Sequence, residues 1–227
     1  MIERRPRLLD LFCCAGGAAM GYSRTGFEVV GVDNRPQPRY PFEFHQCDAI
    51  AYCGVYGHKF DAIHASPPCQ AYTVARHIHG GEHPDLVEAT RHALTIAQTV
   101  NEDLIWVIEN VRGAPLHSAI MLCGTMFDLG VYRHRLFEFS SNMPKPMPPF
   151  HPQHTKGTGA HRGYSTGREG MVCVAGNNFV RTAGAKAMGI DWMTRPELAQ
   201  AIPPAYTEWV GERLLAHIAT QERKGST

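Results

Sequence analysis

Cys69 follows Pro67 and Pro68 and precedes Gln70, and Glu109 stands in the run Ile108-Glu109-Asn110-Val111. Each group comes at the end of an apolar run, Asp61 to Ser66 before the thiol and Leu104 to Ile108 before the carboxyl. A placed thiol and a placed carboxyl suit covalent catalysis, in which a thiolate adds to a carbon and an acid delivers a proton. A cysteine at a strand-to-helix turn can have its pKa lowered by nearby N–H groups and cations, and Cys69 is expected to be exposed in that position. Glu109 has two readings. It is a surface acid after a strand, or, with Trp106-Val107-Ile108 before it and Asn110-Val111 after it, a half-buried carboxyl whose raised pKa lets it donate near neutrality.

The elements that must position these groups read as an alternation. Arg7 to Phe12, Glu28 to Asp33, Asp61 to Ser66, Leu104 to Ile108 and Leu136 to Phe139 have the length and composition of strands, while Gly17 to Thr25, Asp85 to Val100 and Leu116 to Phe127 read as helices. Strands separated by helix-length crossovers argue for an α/β fold with a doubly wound, largely parallel Rossmann-like sheet, whose ligands bind beyond the carboxyl ends of the strands. From Ser141 to Gly170 the composition turns to Pro, Gly, His and Ser, with five prolines between Met143 and Pro152. A small irregular lobe is expected there. The regular pattern resumes with Met171 to Ala175 as a strand, Arg195 to Ala201 as a short helix and Ala205 to Gln221 as a closing helix. This divides the chain into 1–140, 141–176 and 177–227: a catalytic and cofactor-binding part, a small insert, and a return to the first part.

A second chemical end lies at Asp10-Leu-Phe-Cys-Cys-Ala-Gly16-Gly17, a strand, a small-residue turn and a helix start. Glycine there lets a ligand approach the backbone and leaves helix N–H groups open, although a Gly-Gly between strand and helix serves packing as readily. Asp33, ending Val29-Val-Gly-Val-Asp33-Asn34 about twenty residues later, stands where a ribose could be held through its hydroxyls. Asp48, in Gln46-Cys47-Asp48-Ala49, either contacts an adenine edge or caps a helix.

The 227 residues, 44% hydrophobic, can bury one substantial core but are short for two full domains. No run of 18 apolar residues and no signal-peptide pattern occurs, so a cytoplasmic protein without membrane contact is expected. Seven cysteines at irregular spacings fit neither a disulfide framework nor a Cys-x-x-Cys zinc pattern; Cys13, Cys14, Cys123 and Cys173 read as packing residues. His77, His79 and His83 lie in a glycine-containing stretch with no companion cysteine or acid pattern, so no metal is expected. The net charge of +1 hides a basic stretch from Arg133 to Arg168, in which Arg133, Arg135, Lys145, Lys156, Arg162 and Arg168 face the single acid Glu138. It is either an ordinary solvated loop or a track for a phosphate backbone.

Taken together, these residues resemble the DNA cytosine methyltransferases that modify carbon 5. Asp10-Leu-Phe with Gly16-Gly17 is similar to that family's first cofactor motif, Ser66-Pro-Pro-Cys69-Gln to its nucleophile motif, and Glu109-Asn-Val to its acid motif. Arg133-His-Arg135 is similar to its paired arginines, and Arg195-Pro-Glu-Leu-Ala-Gln-Ala-Ile-Pro-Pro with the last helix to its closing motifs. The resemblance spans the chain except Ser141 to Gly170, and the motifs come in the family's order.

The resemblance implies S-adenosylmethionine as cofactor, against Phe12, Gly16 and Gly17, with Asp33 and Asn34 near its ribose, Asp48 and Ala49 near its adenine and Pro67 near its methionine part. It implies catalysis by Cys69, Glu109, Arg133 and Arg135 on a cytosine flipped out of double-stranded DNA, with Gln70 to Gly81 closing over it, by a monomer in a bacterial or phage-infected cell. Three departures stand out: Cys14 where the family has glycine, Val131 where it has glutamine, and Gln200-Ala-Ile202 in place of a Gly-Asn pair. The insert is short for a recognition region, which favours a short or relaxed target site. The same chemistry on RNA, and a catalytically idle nucleic-acid-binding protein, are the competing expectations.

Overall fold

The computed structural model describes residues 4–72, 85–152, 171–176 and 179–225. Its centre is a seven-stranded sheet of β1 (Arg7–Leu11), β2 (Glu28–Asp33), β3 (Glu43–Gln46), β4 (Ala62–Ala65), β5 (Ile105–Asn110), β6 (Ile120–Leu122) and β7 (Arg135–Phe139), in the order β3-β2-β1-β4-β5-β7-β6. The first five are parallel; β7 runs antiparallel to both β5 and β6. Among the described residues six α-helices accompany it: α1 (Gly17–Thr25), α2 (Ala49–Tyr56), α3 (Val87–Val100), α4 (Arg181–Met188), α5 (Arg195–Gln200) and α6 (Pro204–Gly225).

The central strands are apolar throughout because both faces are covered, and alternate residues serve opposite layers. Leu8, Val29, Ala62, Ile105 and Val107 pack with Ala18, Ala19 and Tyr22 of α1 and Tyr206, Val210 and Leu214 of α6. Leu9, Val30, Val32, Ile63 and Trp106 pack on the other side with Ala49 and Cys53 of α2 and Ala93, Leu94 and Ala97 of α3. The two layers make the sheet doubly wound, as its alternation implies. Helices α1 and α6 touch through Gly21, where an added Cβ would lie 2.2 Å from the Pro204 carbonyl. A third cluster joins Val131 and Val174 to Phe179, Met188, Ile190, Met193 and Leu198, so α4 and α5 have their own small core beside the sheet.

Three expectations need correction. Leu116 to Phe127 is not a helix: Ile120, Met121 and Leu122 alternate buried, half-buried and buried against β7, and a short 3-10 turn follows at Gly124–Phe127. Period-2 burial beside an available strand outweighs the helix-like composition, and Gly124 is fixed by the Val131 carbonyl, 2.0 Å from where its Cβ would stand. Met171 to Ala175 forms only an isolated bridge, Val131 to Val172, rather than a strand. The sequence reading also passes over β3 and α2, which occupy Glu43 to Tyr56, and over α4. Cys173 is exposed, not packed. Among the described residues no helix is long and apolar enough to cross a membrane.

Candidate active site

Register brings the proposed nucleophile and acid to one edge. Ala65 at the end of β4 pairs with Ile108 of β5, so the loop beginning at Ser66 leaves beside Glu109. That loop is tied down by Asn110, whose buried side-chain amide donates to the Pro67 carbonyl at 2.9 Å while its own oxygen accepts from the Val111 amide at 2.8 Å. Glu109 is only 3% exposed and pairs across to Phe137 of β7, one strand over. Two positions from Phe137, Arg135 sets its Nε 3.0 Å from Glu109 Oε1. The pair is a close ion contact without hydrogen-bond alignment at that oxygen.

The electrostatics couple three groups. Burial pushes the Glu109 carboxyl up, while Arg135, the Ser66 hydroxyl and Arg133 pull it back in part, leaving it above the ordinary carboxylate range. Burial likewise raises the Cys69 thiol; Arg135 lowers it and the Glu109 charge raises it again. Cys69 is therefore part-buried with an elevated pKa, not the exposed, acidified thiol that its position suggests. Burial outweighs the Arg135 cation there, and the residues described directly after Cys69 form a 3-10 turn, Gln70–Tyr72. Glu109 is more deeply buried than a half-buried reading allows.

Two residues that sequence reasoning missed extend this network. His64, wholly buried in β4, has Nδ1 2.9 Å from the Tyr22 hydroxyl and Nε2 2.8 Å from the Ser66 hydroxyl. Burial lowers its pKa to about 3, so the ring is neutral. Because Ser66 donates to the Glu109 carboxylate, it must accept from His64, which makes Nε2 the protonated nitrogen and Nδ1 the acceptor of the Tyr22 proton. Each donor in the chain from Tyr22 through His64 and Ser66 points towards Glu109. A polar residue in an otherwise apolar four-residue strand, Ala-Ile-His-Ala, was the available signal.

Arg133 behaves differently from Arg135. It is 6% exposed, and it donates to the Val174 carbonyl at 2.7 Å and the Ala199 carbonyl at 2.8 Å. Burial and the neighbouring Arg135 lower its pKa to about 9. Its guanidinium fastens the small third cluster to the sheet. Glu138, the lone acid of the basic stretch, is buried and doubly bonded to Arg91. The phosphate-tracking reading thus loses Arg133 and Arg135 as free surface cations; Lys145 is exposed, and Lys156, Arg162 and Arg168 lie outside the described residues.

The other end of the same sheet edge holds a strained turn. Phe12 (φ 58°), Cys14 (φ 45°) and Gly16 (φ 81°) all have left-handed backbone between β1 and α1. Non-glycine residues in this region cost of the order of 1–3 kcal/mol each, a strain that concentrates at ligand sites. The Asp33 carboxylate holds the turn, accepting from the Cys14 amide and the Arg35 amide, both at 3.0 Å. Helix α1 follows Gly16 as its N-cap, which offers no side-chain cap. Packing also requires the glycines: a Cβ at Gly16 would lie 2.9 Å from Pro41, and one at Gly17 would lie 2.5 Å from the Ile202 carbonyl. Asn34 is exposed at the end of β2; Ala49 is buried, and Pro67 is buried at the head of the nucleophile loop. Asp48 accepts from the Ala51 amide at 2.8 Å as the N-cap of α2, which is the helix-cap reading, and remains exposed. The stretch bearing His77, His79, Gly80, Gly81 and His83 lies outside the described residues.

No family model and no curated protein matches the sequence. Solved structures do match the fold. A protein encoded within an E. coli prophage, described as a candidate DNA modification methyltransferase, superposes with a TM-score of 0.61 at 14% identity, covering 95% of this chain and 99% of that one. The Entamoeba histolytica methyltransferase EhMeth gives a TM-score of 0.61 at 11% identity, over 94% of this chain and 99% of its own. The fold is that of the Rossmann-like methyltransferases. At such identities the likeness extends to architecture, and the chemistry must be argued from the residues.

Proposed function

We propose that the protein transfers a methyl group from S-adenosylmethionine to carbon 5 of a cytosine flipped out of double-stranded DNA. The observation that carries this reading is the mutual electrostatic reach of Cys69, Glu109 and Arg135 at the carboxyl edge of one methyltransferase-type sheet. The prophage-encoded neighbour, described as acting in DNA modification, supports DNA as the substrate.

The cofactor fits the strained turn on the donor set present. The N-terminus of α1, without a side-chain cap, would suit a carboxylate, Asp33 with Asn34 would suit a ribose, and Ala49 with the exposed Asp48 would suit an adenine. Its sulfonium supplies an electrophilic methyl group when bound. The chain's own residues prepare the base. Carbon 5 of cytosine is a weak nucleophile, so the Cys69 thiolate adds to carbon 6, forming an S–C bond, and the displaced ring electron pair becomes available at carbon 5. Glu109, whose carboxyl burial pushes up, gives its proton to the ring nitrogen at position 3 and so accepts the charge that the addition creates. Arg135 keeps the Glu109 carboxyl oriented and offers its remaining N–H groups to the base carbonyl. After methylation, loss of the carbon 5 proton to a base returns the electron pair, the S–C bond breaks and Cys69 leaves as thiolate, while Glu109 takes back the proton from the ring nitrogen, so that neutral 5-methylcytosine is released. Arg133 is assigned a positioning role, through the small core that it fastens. The segment 141–176 is assigned to target recognition.

Incubation with radiolabelled cofactor and duplex DNA, followed by nucleoside analysis, tests the reading. The expected product is 5-methylcytosine. Transfer to RNA alone, or methylation of another atom, would contradict it.

A further inference from the structure

A cluster outside this site has the composition of a metal centre. Cys123, His134 and His151 bring Sγ and one ring nitrogen each within 4.8 Å of one another. Two of the three are set by the sheet. Leu122 of β6 pairs with Arg135 of β7 in antiparallel register, so the next residues along, Cys123 and His134, face each other just beyond the ladder. The third comes from the proline-rich segment, whose ring stands 5.4 Å from that of His134 at an interplanar angle of 58°. Cys123 is fully buried, and its sulfur accepts a hydrogen bond from Thr125 Oγ1 at 3.3 Å, an outer partner of the kind that orients a thiolate ligand.

We propose that Cys123, His134 and His151 bind one Zn²⁺ ion, with water as fourth ligand. One thiolate and two imidazoles form a borderline-soft donor set of the type zinc takes in tetrahedral sites. Zinc bonds of about 2.3 Å to sulfur and about 2.0 Å to nitrogen need ligand atoms about 3.3–3.6 Å apart, so the observed spacing closes by about 1 Å of side-chain rotation. The buried thiolate offsets one of the ion's two charges. The expectation of a metal-free chain weighed the cysteine spacings and His77, His79 and His83; three ligands distant in sequence leave no spacing pattern to read.

The ion has a structural task. Between Asn142 and His151 only Met143 is buried, while Met147 and Phe150 are 90% and 84% exposed. Zinc at His151 would pin this segment to the β6–β7 hairpin that carries Arg133 and Arg135, coupling the start of the recognition region to the catalytic edge.

The test uses the full-length protein, with zinc measured by mass spectrometry after dialysis and with Co²⁺ as a spectroscopic probe. One equivalent of zinc per chain is expected, and cobalt should give a thiolate-to-metal charge-transfer band. That band should disappear in Cys123→Ala, and cobalt affinity should fall ~10-fold or more in His151→Ala, while His92→Ala, on the exposed side of α3, leaves both unchanged. Should Cys123→Ala fail to fold, His151→Ala decides, with circular dichroism confirming its fold. A wild-type chain that takes up no stoichiometric metal, or a cobalt spectrum and affinity that survive in His151→Ala, overturns the proposal. Since the readout is metal content, it stands or falls separately from the methyl-transfer reading.

Discussion

Arg135 is the residue on which the other two depend. Desolvation raises both the Cys69 thiol and the Glu109 carboxyl, and the guanidinium opposes both shifts. Removing the cation in Arg135→Gln therefore raises the thiol pKa further, and the thiolate fraction at any given pH falls. Iodoacetamide alkylation of Cys69, followed by peptide mass spectrometry across a pH series, should show a midpoint above that of an ordinary thiol in the wild type and a still higher one in the variant. An unchanged or lower midpoint would remove Arg135 from the account. Glu109→Gln keeps the shape but has no carboxyl proton to give, and the rate of methyl transfer should fall about 10²- to 10⁴-fold. That Cys69 and Glu109 leave one edge of the sheet is legible in the sequence, because each follows a plain apolar run. Their ionisation is not, since it depends on burial and on a cation brought from β7.

The elements most visible in the sequence are those with a clean period. Arg7–Leu11, Glu28–Asp33 and Gly17–Thr25 fall where the pattern puts them. β3 is missed because Glu43, Phe44, His45 and Gln46 form an edge strand with no fully buried residue. The segment Leu116 to Phe127 misleads because its apolar residues satisfy a helical spacing until the partner strand is known. The β1–α1 turn carries a stored cost that can be relieved. Cys14→Gly removes left-handed strain and should raise stability by about 1 kcal/mol in denaturant unfolding. A loss of stability there would mean that the Cys14 side chain contributes more than its backbone costs. In the opposite direction, Asn110→Ala leaves the buried Pro67 carbonyl without its donor. That change should cost about 1–3 kcal/mol.

At the scale of the molecule, the sheet and the small third cluster are joined by polar bonds as well as by packing. Arg133 spans from the start of β7 to Val174 and Ala199, and the Tyr206 hydroxyl of α6 donates to the Arg133 carbonyl at 2.6 Å. A sequence motif of two arginines one residue apart implies similar roles for both. The structure separates them: Arg133, in the loop before β7, is held by the Val174 and Ala199 carbonyls, while Arg135, the first residue of β7, reaches Glu109. Arg133→Met keeps the apolar volume and orphans the buried Val174 carbonyl and the part-buried Ala199 carbonyl. It should destabilise the fold by about 2–3 kcal/mol, measured by urea unfolding. If stability is unchanged, the guanidinium is free for substrate and the positioning role fails.

The account rests on a covalent bond between Cys69 and a cytosine ring. Duplex DNA containing 5-fluorocytosine tests it directly, since fluorine at carbon 5 cannot depart as the proton does and the thiol cannot be expelled. With S-adenosylmethionine present, the wild-type protein should form a complex that survives denaturation, and peptide mapping should place the base on Cys69. Cys69→Ser should form none. Methyl transfer to normal DNA without any such adduct, or an adduct on another residue, would contradict the account.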